Sequence, residues 1–480
     1  MGLLGILLGL GLLIWLAYRG WSVLLVAPAA ALLAAAFAGE PLLANWTQTF
    51  MGGAAGFLAQ FFPLFLLGAV FGKVMDDSGS ALAIARFISE RLGRERTVLA
   101  VVLACALLTY GGVSLFVVAF AVVPVADALF RQADIPHRLI PATVALGAFT
   151  FTMSALPGTP AIQNAIPMPF FGTMPFAAPG IGILAAAFML GFGLWWLRRA
   201  EVAARRAGEG YGPGPHAATD EQLVRERATT ADTFDPAEVP HGRHGEDLPP
   251  FWLAVLPVFV VVAVNLAMTA LVLPRLDTGY LAEERWGETS LSAVGGIWAV
   301  MTALLAAIVV LVVANRHRLP ALRESVDAGS NASVLPALNT ASQVGFGSVV
   351  AALPAFAVVR DGLLALGGGP LISLGLATSV IAGITGSASG GLTIALEALG
   401  ETFAGMAEQG GIDPELMHRV AAVGAGGLDV LPHNGAVVTL LAVCGATHRE
   451  SYRDIAMVAV VGQLLALALA ITLGSTLGSF

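Results

Sequence analysis

The chain alternates long apolar runs with short polar loops, and this pattern predicts transmembrane helices. A helix of about twenty apolar residues is long enough to cross the hydrocarbon core of a bilayer. The runs are continuous and lack the alternation of polar and apolar residues that marks barrel strands. The pattern therefore predicts an all-α polytopic membrane protein, with apolar runs at 3–17, 21–38, 54–72, 178–197, 251–273, 291–314 and 455–474.

Four further apolar segments are interrupted by small or helix-breaking residues. Glycines divide 97–130 and 370–406, and we predict that each of these is a re-entrant hairpin. Prolines lie within 139–175 and 418–446, and we predict that each of these is a broken helix that crosses the membrane. Proline removes a backbone donor and glycine permits unusual dihedral angles, so both residues interrupt helices.

The charges of the loops predict the topology, because basic residues in short loops mark the cytoplasmic side. Arginines flank 97–130 on both sides, which predicts a cytoplasmic hairpin, although two full spans would satisfy these charges equally well. The far flank of 370–406 is acidic, which predicts an external hairpin. The only long polar stretch of the sequence, 199–250, is predicted to be a cytoplasmic linker.

The two parts of the chain on either side of this linker carry the same order of predicted elements. Residues 1–198 and 251–480 are each expected to hold about five transmembrane helices and one re-entrant hairpin, with one of the crossings a broken helix. The number of residues from the hairpin to the proline break is the same in both parts, counted from Ser114 and from Ser389. Since the loop charges give the two parts opposite orientations, the sequence predicts two inverted repeats.

Breaks in membrane helices predict where a substrate binds. Irregular backbone is tolerated in a membrane only inside protein or beside a wet cavity, and the free N-terminus of a broken helix can hold an anion. Inverted repeats bring such breaks together near the midplane. An ordinary alternative is that small residues only allow close helix packing, and that serines bond back to the preceding turn. We predict a substrate site formed by Gly111, Gly112, Ser114, Pro157, Gly158, Thr159, Gln163, Asn164, Ser387, Ser389, Gly390 and Asn434.

Asp429 and His433 are the most informative pair of ionisable residues within the second predicted broken helix. An ionisable group inside a membrane segment is a functional hypothesis by default, and histidine titrates near physiological pH. We therefore predict that this pair carries a coupling proton. The alternative for His433 is a neutral imidazole that bonds to the backbone.

Composition agrees with a lipid environment and restricts the chemistry. The chain is 57% hydrophobic and 12% charged, about half the charge of a soluble domain, and its mean hydropathy is +0.82. Cys105 and Cys444 lack the spacing of a metal or redox site. We predict no metal, no cofactor and no nucleic-acid partner. Lys73 is the only lysine among 24 basic residues, a bias that fits a bacterial inner-membrane protein from a genome rich in G and C.

The chain resembles the gluconate permease (GntP) family of the ion transporter superfamily over most of its length. The resemblance implies uptake of a hydroxy acid driven by protons, an elevator-like moving domain and a homodimer. The resemblance is concentrated in the segment 68–75 with Asp77, Ser78 and Gly79, through to the break at Leu156 and Pro157, and in 386–391, 413–417, His433 and Asn434.

Departures from the family pattern leave the substrate and the coupling ion open. Gluconate carriers of the family tend to have His and Pro after the first break, where this chain has 158–161, and an Asn-Asp pair at the second, where Gly435 follows Asn434. A less hydroxylated acid such as 3-hydroxybutyrate, or a di- or tricarboxylate, is therefore an alternative to gluconate. The Ser-Asn-Thr signature of the sodium-linked dicarboxylate branch is absent from both breaks, which favours protons over sodium.

Three mechanistic classes remain to be distinguished. The first is a proton-coupled symporter, with a sodium-coupled di- or tricarboxylate carrier as its alternative. The second is an intramembrane serine hydrolase with Ser389 as nucleophile and His433 as base. Ser389 lacks a Gly-x-Ser-Gly setting and the first repeat has no matching histidine, so we predict that the chain is not an enzyme. The third is a passive channel, which would not concentrate its substrate.

Overall fold

The computed structural model describes residues 2–19, 21–113, 115–212, 247–364, 368–432 and 434–480. Every regular element in these ranges is helical, which confirms the predicted all-α fold. Five helices are long and apolar enough to cross a membrane: Leu42–Asp77, Pro179–Arg206, Phe251–Arg275, Leu291–Asn315 and His448–Leu477.

The first half of the chain begins with three apolar helices and a short helix, continues with a helix–turn–helix and an interrupted helix, and ends with a long helix. These are α1 Gly2–Tyr18, α2 Val23–Ala38, α3 Leu42–Asp77, α4 Ser80–Leu92, α5 Thr97–Tyr110, α6 Leu115–Ala133, the interrupted series α7 Ile140–Ala148, α8 Phe151–Ser154, α9 Ile162–Ala165 and α10 Pro167–Phe171, and α11 Pro179–Arg206. Helix α3 includes a π-helical stretch, Asn45–Phe50. Short 3-10 turns, Arg94–Arg96 and His137–Leu139, precede α5 and α7.

The second half ends in the same way, with a helix–turn–helix, an interrupted helix and a long helix, and in the described residues five helices precede these where the first half has four. Its helices are α12 Phe251–Arg275, α13 Leu291–Asn315, α14 Leu322–Ala332, α15 Val334–Ala352, α16 Phe356–Leu364, the helix–turn–helix α17 Pro370–Thr385 and α18 Ala388–Gly410, the interrupted pair α19 Pro414–Leu428 and α20 Gly435–Val443, and α21 His448–Leu477. Two 3-10 turns between α12 and α13 are Gly279–Ala282 and Glu284–Trp286.

The two halves contact each other reciprocally. Helix α2 packs against α15, and α13 packs against α3, while α3 and α15 also touch each other. Helix α12 contacts α4 and α5 of the first half, and α1 contacts the corresponding α16 and α17 of the second. The second arm of each helix–turn–helix meets the interrupted helix of the other half, as α6 with α20 and α18 with α10. Such an exchange of equivalent contacts is expected for two similar halves related by a twofold axis.

Local chemistry explains where the helices begin and end. Helix α19 starts at Pro414 with Asp413 as its N-cap, because the Asp413 carboxylate accepts a hydrogen bond from Glu415 N at 2.8 Å. The first interrupted helix is non-helical over 155–161, which contains Pro157 and Pro160, and the second is interrupted between Leu428 and Gly435, around Pro432. Helix α5 has 14 residues and is about 21 Å long, shorter than the hydrocarbon core of a bilayer.

The start of the predicted linker is structured. Helix α11 continues to Arg206, two turns past the predicted boundary at residue 198. The chain then returns to the end of α6, where Tyr211 N donates to Asp134 Oδ1 at 2.9 Å. Arg138 joins this segment to α21 through Glu209 at 2.7 Å and Asp454 at 2.8 Å. The remainder of the predicted linker up to residue 246 lies outside the described ranges.

Candidate functional site

The turn between α17 and α18 is built from the residues that the glycine pattern singled out. Gly386 adopts a left-handed conformation with φ of +67°, which permits the sharp reversal after Thr385. Ser387 is the N-cap of α18, and its Oγ accepts a hydrogen bond from Gly390 N at 3.1 Å. The Ser389 Oγ lies 3.4 Å from that of Ser387, and both serines are buried. Two hydroxyls are thus held beside the N-terminus of a helix.

Gly390 allows this turn to approach the rest of the second half. A Cβ atom at this position would lie 1.5 Å from the Oε1 atom of Gln343 on α15. The clash is with the end of a flexible side chain, so any larger residue at this position requires the Gln343 amide to move. The sequence predicts Gly390 as part of the site, and in the structure it lies against Gln343 and lines neither cavity.

Asn434 joins the second helix break to this turn. Its Nδ2 donates to Gly386 O at 2.6 Å and also to Asp429 O. Its Oδ1 accepts from Ala436 N at 2.6 Å and from Val437 N at 3.3 Å, so it caps α20. One amide therefore fixes both the turn and the restart of the broken helix.

The first helix break is held by three donors from different elements. Tyr110 at the end of α5 donates to Pro157 O at 2.9 Å, and Asn265 on α12 donates to Gly158 O at 2.9 Å. Asn164 on α9 donates to Thr159 O at 3.1 Å. These bonds satisfy carbonyls that the interruption leaves without helical partners.

Thr159 and Asn434 play corresponding parts in the two breaks. The Thr159 Oγ1 accepts a hydrogen bond from Ala161 N at 3.3 Å, and the Asn434 Oδ1 accepts from Ala436 N at 2.6 Å. In each case a side-chain oxygen bonds the backbone two residues further along the chain. The two breaks thus share a local hydrogen-bond arrangement.

Two adjoining cavities lie between the turns and the breaks, and both are lined by Leu115, Met153 and Gln163. The larger has a volume of about 160 Å³ and the smaller of about 30 Å³. The lining of the larger cavity also includes Gly68, Ala69, Thr109, Gly112, Pro160, Ser333, Pro336 and Ser389, and that of the smaller includes Phe149, Gly386, Ser387, Asp429, Asn434 and Ala436.

The predicted site residues separate into those that face these cavities and those that support them. Six face a cavity: Gly112, Gln163, Ser387, Ser389, Asp429 and Asn434. Six others do not line either one, namely Gly111, Pro157, Gly158, Thr159, Asn164 and Gly390. Ser114 and His433, which the sequence also predicts, lie outside the described residues. The structure therefore brings residues of both halves to one place.

Two buried polar groups on the cavity walls, the Thr109 hydroxyl and the Oδ1 atom of Asp429, have no hydrogen-bond partner among the described residues. Buried polar groups are normally paired, so groups left unpaired at a cavity are available to a ligand. Thr109 was not predicted, although it lies one residue before Tyr110, in the last turn of a helix whose end was predicted to form the site.

Comparison with known proteins gives the family. A model of the GntP family of permeases matches residues 1–172. A Bacillus subtilis (strain 168) protein, "Uncharacterized transporter YxjC", is 44% identical over 462 residues, which is 95% of this chain and 95% of that protein. The chain belongs to the GntP permease family. A Haemophilus influenzae protein, "Uncharacterized transporter", is 30% identical over 149 residues, 31% of this chain and 34% of that protein.

Solved structures support the fold of this GntP permease. The YdaH transporter of Alcanivorax borkumensis is similar with a TM-score of 0.55 and 18% identity, over 92% of this chain and 91% of that one. MtrF of Neisseria gonorrhoeae, described as illuminating a class of antimetabolite efflux pumps, is similar with a TM-score of 0.54 and 13% identity. That match covers 90% of this chain and 85% of MtrF. At these identities the likeness shows the fold alone.

A buried charged cluster in this GntP permease was not predicted from the sequence. Arg419 and His418 on α19 are both fully buried. Arg419 Nη1 donates to Ser154 O at 3.3 Å and to Asn164 Oδ1 at 3.1 Å. Its Nη2 donates to Ala177 O at 2.7 Å. The sequence did contain a signal for this cluster, because His418 and Arg419 are ionisable residues inside the predicted broken helix 418–446.

Proposed function

We propose that this GntP permease is a proton-coupled symporter of a small organic anion in the bacterial inner membrane. The observation that carries the proposal is that unpaired polar groups of both halves, Thr109 and Asp429, line adjoining cavities at the turns and breaks. The proposal includes two inverted halves joined by the cytoplasmic linker 199–250, an elevator-like movement and a homodimer.

Helix N-termini favour a negatively charged substrate. Helices α18 and α20 both begin at the smaller cavity, where Ser387, Ala388, Asn434 and Ala436 form part of the wall. The N-terminal end of a helix carries a partial positive charge and free N–H groups, which stabilise anions. The hydroxyls of Thr109 and Ser389 line the larger cavity beside them. This combination suits a carboxylate with one or more hydroxyl groups.

The size of the site favours a small substrate. The larger cavity, of about 160 Å³, is below the range of about 300–1,000 Å³ that is typical for drug-sized ligands. Hydroxy acids such as gluconate or 3-hydroxybutyrate are the substrates we propose. Between these two, the missing polar groups after each break favour 3-hydroxybutyrate.

A third cavity lies further along α3 from this site. It has a volume of about 760 Å³ and lies beside α3, α4 and α6, with Asp76, Arg86 and Gln132 among its polar lining residues. Ala69 lines the larger site cavity and Asp76 lines this third cavity, and the two residues are about 10 Å apart along α3. The loop charges assign this face to the cytoplasm, so we propose that the substrate leaves through this cavity.

We propose that Asp429 and His433 carry the proton that is transported with the substrate. The Asp429 side chain is buried in a break of a membrane helix, and its Oδ1 has no donor among the described residues. A carboxylate in this position is costly unless it is protonated or paired. Protonation of Asp429 would therefore accompany movement of the site through the membrane.

Transport into proteoliposomes tests the proposal. Purified protein is reconstituted, an inward pH gradient is imposed, and the uptake of labelled 3-hydroxybutyrate and gluconate is measured. We expect accumulation above equilibrium that a protonophore abolishes. Accumulation of a di- or tricarboxylate that follows a sodium gradient would support the sodium-coupled alternative, and equilibration without accumulation would support a channel. Labelling by a fluorophosphonate probe would support the hydrolase.

A further inference from the structure

Arg419 is a buried cation whose partners are all neutral. Its guanidinium donates to the carbonyl oxygens of Ala177 and Ser154 and to the side-chain oxygen of Asn164. None of the described carboxylates forms an ion pair with it. A charge inside a membrane protein is costly and normally paired. The positive charge of Arg419 therefore remains uncompensated by direct contact.

The nearest acidic residue on the same helix is directed elsewhere. Glu415 lies one turn before Arg419, but its Oε2 accepts a hydrogen bond from Ala178 N at 2.9 Å. Glu415 is partly exposed, whereas Arg419 is fully buried. Glu415 reduces the positive potential around Arg419 without cancelling it.

His418 adds no second charge to this cluster. The amide of Asn164 is oriented by its Nδ2, which donates to Thr159 O and Pro175 O, so its Oδ1 faces the His418 Nε2 at 3.2 Å. Nε2 therefore carries a hydrogen, and Nδ1 lies 2.6 Å from the Thr173 hydroxyl. A second cation beside the guanidinium would be unfavourable, so the imidazole is neutral and accepts from Thr173.

The guanidinium lies directly behind the substrate cavities. It bonds to Ser154 and Asn164, and the residues before each of these, Met153 and Gln163, line both cavities. Helix α7, which occupies the corresponding place in the first half, contains no ionisable residue. This helix of the first half therefore supplies no second fixed cation.

We propose that Arg419 is the fixed positive charge that makes this site selective for anions. It acts through space and through the orientation of Asn164, without touching the substrate. The inference rests on the proposed function, because it concerns the charge of the transported molecule. It extends that function by assigning the selection of anions to Arg419, a residue that does not line either cavity.

Two charge changes of opposite sign test this role. Binding of 3-hydroxybutyrate and of its uncharged counterpart 3-hydroxybutyramide is measured on purified protein in nanodiscs at low salt. Arg419→Met should weaken binding of the acid about tenfold, the effect of one charge about 10 Å away at an effective dielectric constant of about 20. Glu415→Gln keeps an acceptor for Ala178 N and removes a negative charge, so it should tighten binding of the acid about threefold. Arg419→Lys keeps the charge and should stay within about threefold of wild type.

The uncharged ligand 3-hydroxybutyramide and the variant Glu415→Gln distinguish an electrostatic role of Arg419 from a structural one. A purely structural role for Arg419 predicts equal loss of acid and amide binding in Arg419→Met and no gain in Glu415→Gln, and either result would overturn the inference. If Arg419→Met does not fold, the sign of the change in Glu415→Gln decides. Wild-type protein that binds neither 3-hydroxybutyrate nor gluconate would count against the proposed function as well. Wild-type binding with no response to either charge change would overturn only the role of Arg419.

Discussion

Replacement of Asn434 by alanine should release the second broken helix from the turn that it faces. The side chain donates to Gly386 O at 2.6 Å and to Asp429 O, and it accepts from Ala436 N and Val437 N. All four bonds are lost in Asn434→Ala, and the residue is only 7% exposed, so water replaces them poorly. The expected consequence is local opening of α20 and of the turn before α18.

The size of the effect follows from two losses. Removal of an N-cap side chain costs about 1 kcal/mol, and each of the two buried carbonyls left without its donor costs about 1–3 kcal/mol. The sum for Asn434→Ala is about 3–7 kcal/mol, which corresponds to a fall in the protection of backbone amides of about 100-fold or more. The corresponding change at the first break, Thr159→Ala, removes a single bond of 3.3 Å and should cost less than about 1 kcal/mol.

Hydrogen exchange followed by mass spectrometry measures this difference. Peptides that cover α20 should exchange faster in Asn434→Ala, whereas Thr159→Ala should leave them unchanged. Equal protection of α20 in wild type and Asn434→Ala would refute the account of Asn434 as the residue that links turn and break. Equal loss in both variants would show that the effect is not specific to this contact.

Further substitutions test the site. In Gly390→Ala the new Cβ would lie 1.5 Å from Gln343 Oε1, so the Gln343 side chain must move, and uptake should fall by about twofold to fivefold. Gly405→Ala on the same helix has nothing within 4 Å of the new atom and should transport normally; equal uptake by both variants would contradict a functional effect of the contact with Gln343. Asp429→Asn, which keeps the shape and removes the titratable group, should abolish accumulation driven by a pH gradient and retain counterflow of substrate, as should His433→Ala if that residue shares the proton. Concentrative uptake by Asp429→Asn at the wild-type rate would exclude Asp429 as the proton carrier.

The contacts around the site favour movement of the turns and breaks as one body. Each break is pinned to the turn of its own half, through Tyr110 with Pro157 O and through Asn434 with Gly386 O. Arg419 then joins α19 of the second half to the break of the first. This continuity of hydrogen bonds is what the proposed elevator-like movement requires, because a rigid unit can carry the substrate between two faces without separating its walls.

Features that depend on local sequence could be predicted. The length of the apolar runs determined the all-α membrane fold, because only a helix satisfies its own backbone in lipid. The helices are interrupted near the predicted glycines and prolines: α17 ends at Thr385, directly before Gly386, and α19 ends at Leu428, four residues before Pro432. The sequence alone also selected six of the residues that line the cavities.

Other features were decided by the tertiary structure. Nothing in the sequence around Asn164 distinguishes a residue that faces a substrate from one that binds the buried Arg419, since that choice depends on a helix more than 250 positions away. The burial of Arg419 and the contact of Gly390 with Gln343 likewise arise only when the two halves or distant helices pack. Propensity and hydropathy act over a few turns of one helix, whereas the partners of a buried polar group are set by packing between helices. The sequence therefore located the breaks, and the tertiary structure determined which polar groups face the cavity and which hold it together.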